Sequence, residues 1–442
     1  MTPSRSRSSP VEPRPVLIRN ARILRLNRGP RPRRGQHLGD LNVADRGDVL
    51  LAADRIVSVG TDLSLPPDSD VIEADGRVLM PGLIDCHTHA CWAGDRVDEW
   101  SMRLGGAEYL DILKAGGGIM STVRAVRATT EEGLIAQLRR RLAVMLAHGT
   151  TTVEVKSGYG LIQECELKML RAIRRAVAPG TIPERRVMET PTDGTPMPRV
   201  VATALLGHAI DPEVPGFVDR TISETLPAVH TTYPDISVDA FCEKGAWSLD
   251  DSLRLLRRAK ELGHPIRIHA DQFTSLGMVP EAVRMGALSI DHLEATTKAD
   301  MDLLAKSDTF AVVLPCCGVH VDGRFANVRR FVSAGGLLAL ATNYNPGSAP
   351  CPSMPMAIGL AVRYCGLSPS EAIAAATVNP ATLLGFTDRG AIAPGLRADL
   401  LLLRHTDERM LAYEFGCDHV ETVILGGRIV KGQAPSGRPV RS

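Results

Sequence analysis

Between residues 80 and 390 the chain repeats one pattern. A short run of apolar residues ends in polar residues or glycine, and a stretch with helical spacing follows. Eight such runs read as strands: LIDCHTH (83–89), TTTVEVKSG (150–158), ATALLGHA (202–209), ISVDAFCEKG (236–245), PIRIHADQ (265–272), ALSIDHLE (287–294), TFAVVLPCCG (309–318) and LLALATNYNP (337–346). Segments such as ECELKMLRAIRRAV (164–177) and LDDSLRLLRRAKEL (249–262) carry apolar residues at helix period between them. Near-continuous apolar strands belong to a sheet covered on both faces, and eight βα repeats predict a (β/α)8 TIM barrel over residues 81–387. In such barrels the chemistry sits at the C-terminal ends of the strands.

The two ends of the chain have another texture. VLIRNARIL, GDVLLAADRIVSVG and IEADGRVLM alternate apolar and polar residues between turn signals, and the same texture returns in ADLLLLR (398–404) and ETVILGGRIVKG (421–432). Neither half can bury an apolar face alone, so residues 15–80 and 388–434 are expected to form one small β-sandwich. Residues 1–14, rich in Pro, Ser and Arg, and residues 435–442 read as disordered tails.

Composition narrows the function. With 442 residues, 51 Lys and Arg against 50 Asp and Glu, and a net charge of +1, no global field recruits nucleic acid or an anionic membrane. The basic run Arg31, Arg33 and Arg34 reads as a solvated loop. No apolar stretch of about 18 residues predicts a membrane span, and the first residues lack the apolar region of a secretory signal. Nine scattered cysteines without a C-x-x-C pair read as reduced, mostly buried thiols of a cytoplasmic protein.

The histidines point to chemistry. His87 and His89 lie two apart at the end of the first barrel strand, so both imidazoles face one side, and neutral imidazole suits zinc and iron. A His-x-His alone is weak evidence, because ordinary strands contain it by chance. His208, His269 and His292 fall at the ends of the third, fifth and sixth strands, so five of the twelve histidines crowd one rim. His87, His89 and His269 are the predicted metal ligands. His148, His230 and His264 fall at or beside helix ends and read as structural.

MPGLIDCHTHACWAGDR (80–96) resembles the opening metal motif of the amidohydrolase superfamily. KAGGGIMSTVRAVR (114–127), AHGTTTVEVKSGYGL (147–161), RIHADQ (267–272), LSIDHLE (288–294) and NPGSAP (345–350) together resemble the imidazolonepropionase family, with VKSGYGL and NPGS the more specific motifs. The resemblance runs from about Val16 to Gln433. It implies hydrolytic opening of the ring of 4-imidazolone-5-propanoate to N-formimidoyl-L-glutamate in histidine degradation, with one Zn²⁺ or Fe ion on His87, His89, His269 and position 343. It also implies substrate contacts from Arg96, Tyr159, His208, Gln272, Asn345, Gly347 and Ser348, and a possible homodimer. His292 is the candidate for moving a proton or polarising the carbonyl. Arg96 offers a planar fork to the propionate carboxylate, against the plainer reading of a surface ion pair with Asp95 or Asp98.

The pattern departs from the family at one ligand. Where the family carries Ala-Thr-Asp, this chain has Ala341-Thr342-Asn343. An amide keeps the shape but holds no charge and takes no proton at useful pH. Three readings stay open: a slower enzyme relaying protons through His292, an amidohydrolase or deaminase of another small heterocycle, and a ligand-binding homologue without turnover. PCCGVH (315–320) and ETPTDGTPMPRV (189–200) also differ from the usual family loops.

Overall fold

The computed structural model describes residues 14–107, 116–177 and 196–432. The expected tails, except Arg14, fall outside these residues, as do residues 114–115 of the first glycine-rich motif and residues 189–195 of the ETPTDGTPMPRV stretch.

Five strands precede the barrel: β1 (Val16–Leu24), β2 (Val43–Ala52), β3 (Arg55–Gly60), β4 (Asp70–Glu73) and β5 (Val78–Pro81). The barrel strands are β6 (Leu83–Asp85), β7 (Thr150–Lys156), β8 (Arg199–Gly207), β9 (Ser237–Cys242), β10 (Ile266–Ala270), β11 (Ser289–His292), β12 (Phe310–Val313) and β13 (Leu337–Leu340). The last three are β14 (Leu400–Leu403), β15 (Val420–Leu425) and β16 (Arg428–Lys431).

β6 to β13 stand side by side in chain order, and every neighbouring pair is parallel. β7 and β10 to β13 are buried at every residue, as a sheet covered on both faces requires. β6 and β13 meet just beyond their ends. There the Asn343 N–H donates to the His87 carbonyl (3.1 Å) and the His89 N–H to the Tyr344 carbonyl (3.0 Å). The segments that close the barrel are therefore the ones that carry the predicted ligands. Each strand stops short of its predicted end, which leaves most of the site residues on the turns just past the sheet, with His269 and His292 in the last residues of their strands.

Strands from both chain ends join in one mixed sheet, in the order β16-β15-β14-β5-β1-β2-β3, with β4 beside β1. The two chain ends thus build one β-domain together, as expected, and the two faces of its sheet have different partners. Leu400 and Leu402 of β14 pack with Ile18, Ile23, Val49 and Ile424 in a small core of the sheet's own. Leu401 and Leu403 alternate to the other face and join the large core of the barrel. Register shifts in β1 at Ile18, Ala21 and Ile23 are the kind of irregularity that bends a strand.

The basic run is solvated only in part: Arg31 is exposed, but Arg33 is not. Arg33 is buried, with its N–H donating to Asn379 Oδ1 (2.8 Å) and its guanidinium to the Arg28 carbonyl (2.8 Å). Arg34 pairs with Asp308 (2.9 Å). Charge alone suggested a loop in water, but the buried Arg33 ties the first segment onto the barrel through Asn379.

Beneath the site lies a buried layer of charge. Lys156 Nζ is 2.8 Å from both Glu154 Oε1 and Asp239 Oδ2, and Arg267 is 3.0 Å from Asp291 Oδ2. Burial and the Arg267 charge oppose its ammonium, yet Asp239, Glu154 and Asp291 raise the pKa of Lys156. Removing one member leaves buried charge uncompensated. Lys156→Met is expected to cost about 3–5 kcal/mol, measured by urea unfolding; a cost below about 1 kcal/mol would show that the layer relaxes or takes in water.

Candidate metal centre and active site

His87 and His89 follow β6 on a fully buried turn, His269 lies in β10, and His292 ends β11. The ring centroids of His87 and His269 are 4.5 Å apart, and those of His89 and His269 are 5.3 Å apart. One nitrogen from each of these three residues lies within 4.8 Å of the others. The expected trio converges.

The carboxylates behind the rings set their orientation. His87 Nδ1 is 2.6 Å from Asp291 Oδ2, and His269 Nδ1 is 3.1 Å from Asp239 Oδ1. Each Nδ1 carries the proton to a carboxylate, which leaves both Nε2 lone pairs free. Burial first, and then the Lys156 charge, push His87 well below its ordinary pKa. Burial and then His208 do the same to His89, and burial lowers His269. All three are therefore neutral imidazoles, the form that ligates metal.

The donor set fits a divalent cation. His269 Nε2 and His89 Nε2 lie 3.3 Å apart. Two imidazole nitrogens about 2.0–2.1 Å from one tetrahedral ion would be about as far apart. His87 Nε2 and Asn343 Oδ1 are buried without a hydrogen-bond partner among the described residues. Such orphaned acceptors are costly unless something positive sits among them.

Asn343 lies three residues past β13 at φ +59, a left-handed position that Asn and Asp tolerate better than other side chains. Its amide nitrogen is 3.4 Å from Ser348 Oγ. Nearby, His292 (φ +88) and Leu293 (φ +75) also hold left-handed backbone. Such conformations persist where the surroundings enforce them, and they cluster at functional sites.

A cavity of about 580 Å³ opens above these groups. Its lining includes His89, His269, His292 and Asn343, and also Arg96, Tyr159, His208, Gln272, Asn345, Gly347 and Ser348. Every predicted site residue except His87, which lies fully buried at the base, faces this space. A smaller cavity of about 190 Å³ opens at the opposite end of the strands, and its lining has no imidazole or thiol.

Gly158 sits at φ +108, and a Cβ there would lie 3.0 Å from His208 Nδ1 and 2.9 Å from the Leu205 carbonyl. The glycine lets the loop approach His208, whose Nδ1–H donates to the Gly158 carbonyl (2.9 Å). Burial, and after it His269, push the His208 pKa down to about 3. The ring is neutral, so its Nε2 is an acceptor. In the NPGS turn, Asn345 Oδ1 accepts the N–H groups of Gly347 and Ser348, each at 2.8 Å.

The ion pair of Arg96 is made with Glu99 (2.5 Å), not with Asp95 or Asp98. Glu99 lies one helical turn on and is itself held by the Gly118 N–H (2.9 Å) and the Ser121 hydroxyl (3.1 Å). Arg103 and Lys244 add two further cations at the mouth. Sequence reasoning missed both, and also Glu166, whose carboxylate accepts the N–H groups of Gly158, Gly160 and Leu161.

It also missed Glu154, Lys156, Asp239, Arg267 and Asp291. A signal was present, because each is a charged residue inside a strand of the predicted barrel, where both faces are covered. Arg267 even lies two residues from His269, on the same face. His230 and His264 pair with each other (3.1 Å) and line neither cavity.

Histidines oriented by carboxylates at the mouth of a parallel barrel define a metal-dependent hydrolase architecture. The model of the amidohydrolase family matches residues 78–430. The imidazolonepropionase of Herpetosiphon aurantiacus is 44% identical over 431 residues, covering 94% of this chain and 97% of the relative. That of Rubrobacter xylanophilus is 41% identical over 426 residues, covering 94% and 98%. Among solved structures, a triazine hydrolase variant aligns with TM-score 0.69 and 17% identity over 97% of each chain. An Xaa-Pro dipeptidase with bound methionine aligns with TM-score 0.65 and 18% identity, covering 95% of this chain and all of the other. These two show the shared fold alone. The chain belongs to the amidohydrolase family and, within it, to the imidazolonepropionases.

Proposed function

We propose that this chain hydrolyses 4-imidazolone-5-propanoate to N-formimidoyl-L-glutamate, as the names of its relatives suggest, with one Zn²⁺ or Fe ion on His87, His89, His269 and Asn343. The observation that carries the reading is the convergence of three neutral imidazoles and an unpartnered amide oxygen at the base of a cavity with a cationic mouth. A cation held there supplies Lewis acidity, which lowers the pKa of water toward about 7.

The chain's own groups do the rest. Arg96, Arg103 and Lys244 attract the propionate carboxylate, and Arg96 presents its fork to it. His208 Nε2 accepts a ring N–H, and Gln272 hydrogen-bonds the imidazolone. Tyr159 donates its phenol from the loop above, Ser348 donates its hydroxyl at the substrate's edge, and Gly347 lines that edge. Water adds to the carbonyl carbon, the ring C–N bond breaks, and the departing nitrogen takes the proton. His292 moves that proton, since Asn343 cannot. Glu294, 3.3 Å from His292 Nδ1, holds that ring nitrogen. We also place the enzyme in the cytoplasm, in keeping with nine free cysteines, seven of them buried.

The test is an assay on freshly generated imidazolone propionate, following N-formimidoyl-L-glutamate. Release of ammonia without that product would make it a deaminase, and binding without turnover would sink the hydrolase reading. A Cβ at Gly347 would lie 2.7 Å from an Arg96 terminal nitrogen. Gly347→Ala is therefore expected to displace the guanidinium and raise KM about 10-fold, about 1.4 kcal/mol, with little change in kcat. Unchanged KM would remove Arg96 from substrate binding.

A further inference from the structure

Beside the trio, three other side chains meet from separate elements. His292 ends β11, Glu294 follows two residues on, and Cys317 lies in the helix Pro315–Val321 that follows β12. One donor atom from each lies within 4.8 Å of the others. The His292 and Glu294 side chains are 3% and 6% exposed, and Cys317 is buried. Among the described residues, Glu294 has no lysine or arginine partner, only His292 Nδ1 at 3.3 Å, and its Oε2 has no hydrogen-bond partner at all. A buried carboxylate with one empty oxygen is costly unless a cation compensates it. Sulfur, imidazole and carboxylate together form a donor set suited to zinc-like ions rather than to magnesium or calcium.

We propose that His292, Glu294 and Cys317 form a second cation site, selective for thiophilic divalent ions. It lies next to the first: the His292 ring centroid is 5.6 Å from that of His269 and 5.9 Å from that of His87. The backbone helps to build it, since the left-handed turn at His292 and Leu293 brings Glu294 back beside the imidazole. The site also adjoins the substrate cavity, because Gln272 Nε2 donates to Cys317 Sγ at 3.3 Å. A cation there would require the Cys317 thiol to release its proton to solvent and would occupy His292, tying metal load to the residue assigned the proton transfer. That consequence rests on the proposed reaction; the binding does not.

The test is titration of the metal-stripped, full-length protein with Co²⁺, followed by bound-metal analysis and near-ultraviolet absorption. Two equivalents are expected, one of them giving a thiolate-to-cobalt charge-transfer band. Cys317→Ser and, independently, Glu294→Gln are each expected to fall to one equivalent, and Cys317→Ser to lose the band. A single equivalent without the band in the unmodified protein would overturn the site, as would a band that survives Cys317→Ser. Two equivalents with the band, one lost on substituting Cys317, uphold it whether or not the imidazolone is turned over.

Discussion

Asn343→Asp is expected to bind the catalytic cation about 10- to 100-fold more tightly and to raise kcat by about 10²-fold. The Oδ1 of Asn343 is buried without a partner, so an oxygen already waits there. A carboxylate at that place adds the anion and the proton acceptor that the amide lacks. The backbone accepts the change, because Asp tolerates φ near +59 about as well as Asn. The hydrogen bond at stake is long, 3.4 Å to Ser348 Oγ, and the hydroxyl can turn to donate to a carboxylate instead. Without metal, the new buried charge has no partner, so the stripped variant is expected to melt lower than the stripped parent and to gain more from metal. Competition with a chelator, melting with and without metal, and steady-state assays check this. Unchanged metal affinity and turnover would place Asn343 outside the metal's reach.

His269→Ala is expected to lose bound metal and to lower turnover by about 10⁴-fold. His269 offers the Nε2 that faces His89 Nε2 at 3.3 Å, so two ligands cannot close the site without it. The fold should survive, because Asp239 keeps Lys156 at 2.8 Å after the imidazole is gone. Circular dichroism and metal analysis separate the two effects. A folded variant that still holds one tightly bound metal would refute the ligand assignment.

Much of this was legible along the chain because two periodicities carry it. Period two placed His87 and His89 on one face, and the turn past β6 keeps them there. Apolar runs marked all eight barrel strands, each displaced at its polar end where the chain leaves the sheet. The partner of Arg96 was harder to read. Aspartates at 95 and 98 are nearer in sequence, but helix geometry from Val97 brings Glu99 under the guanidinium. Arg33 was misread for a similar reason, since its burial depends on Asn379, more than three hundred residues away.

What the sequence determined by itself was local: which segments are strands, which histidines sit at their ends, and that position 343 carries an amide. These follow from side-chain chemistry and backbone period, which need no distant partner. Only the tertiary structure decided which charges stand behind the imidazoles. Parallel pairing sets Arg267 opposite Asp239 and His269 opposite Asp291, and that register lies in the sheet rather than in any one strand. The same holds for Cys317 beside Glu294, brought together because β11 and β12 are neighbours.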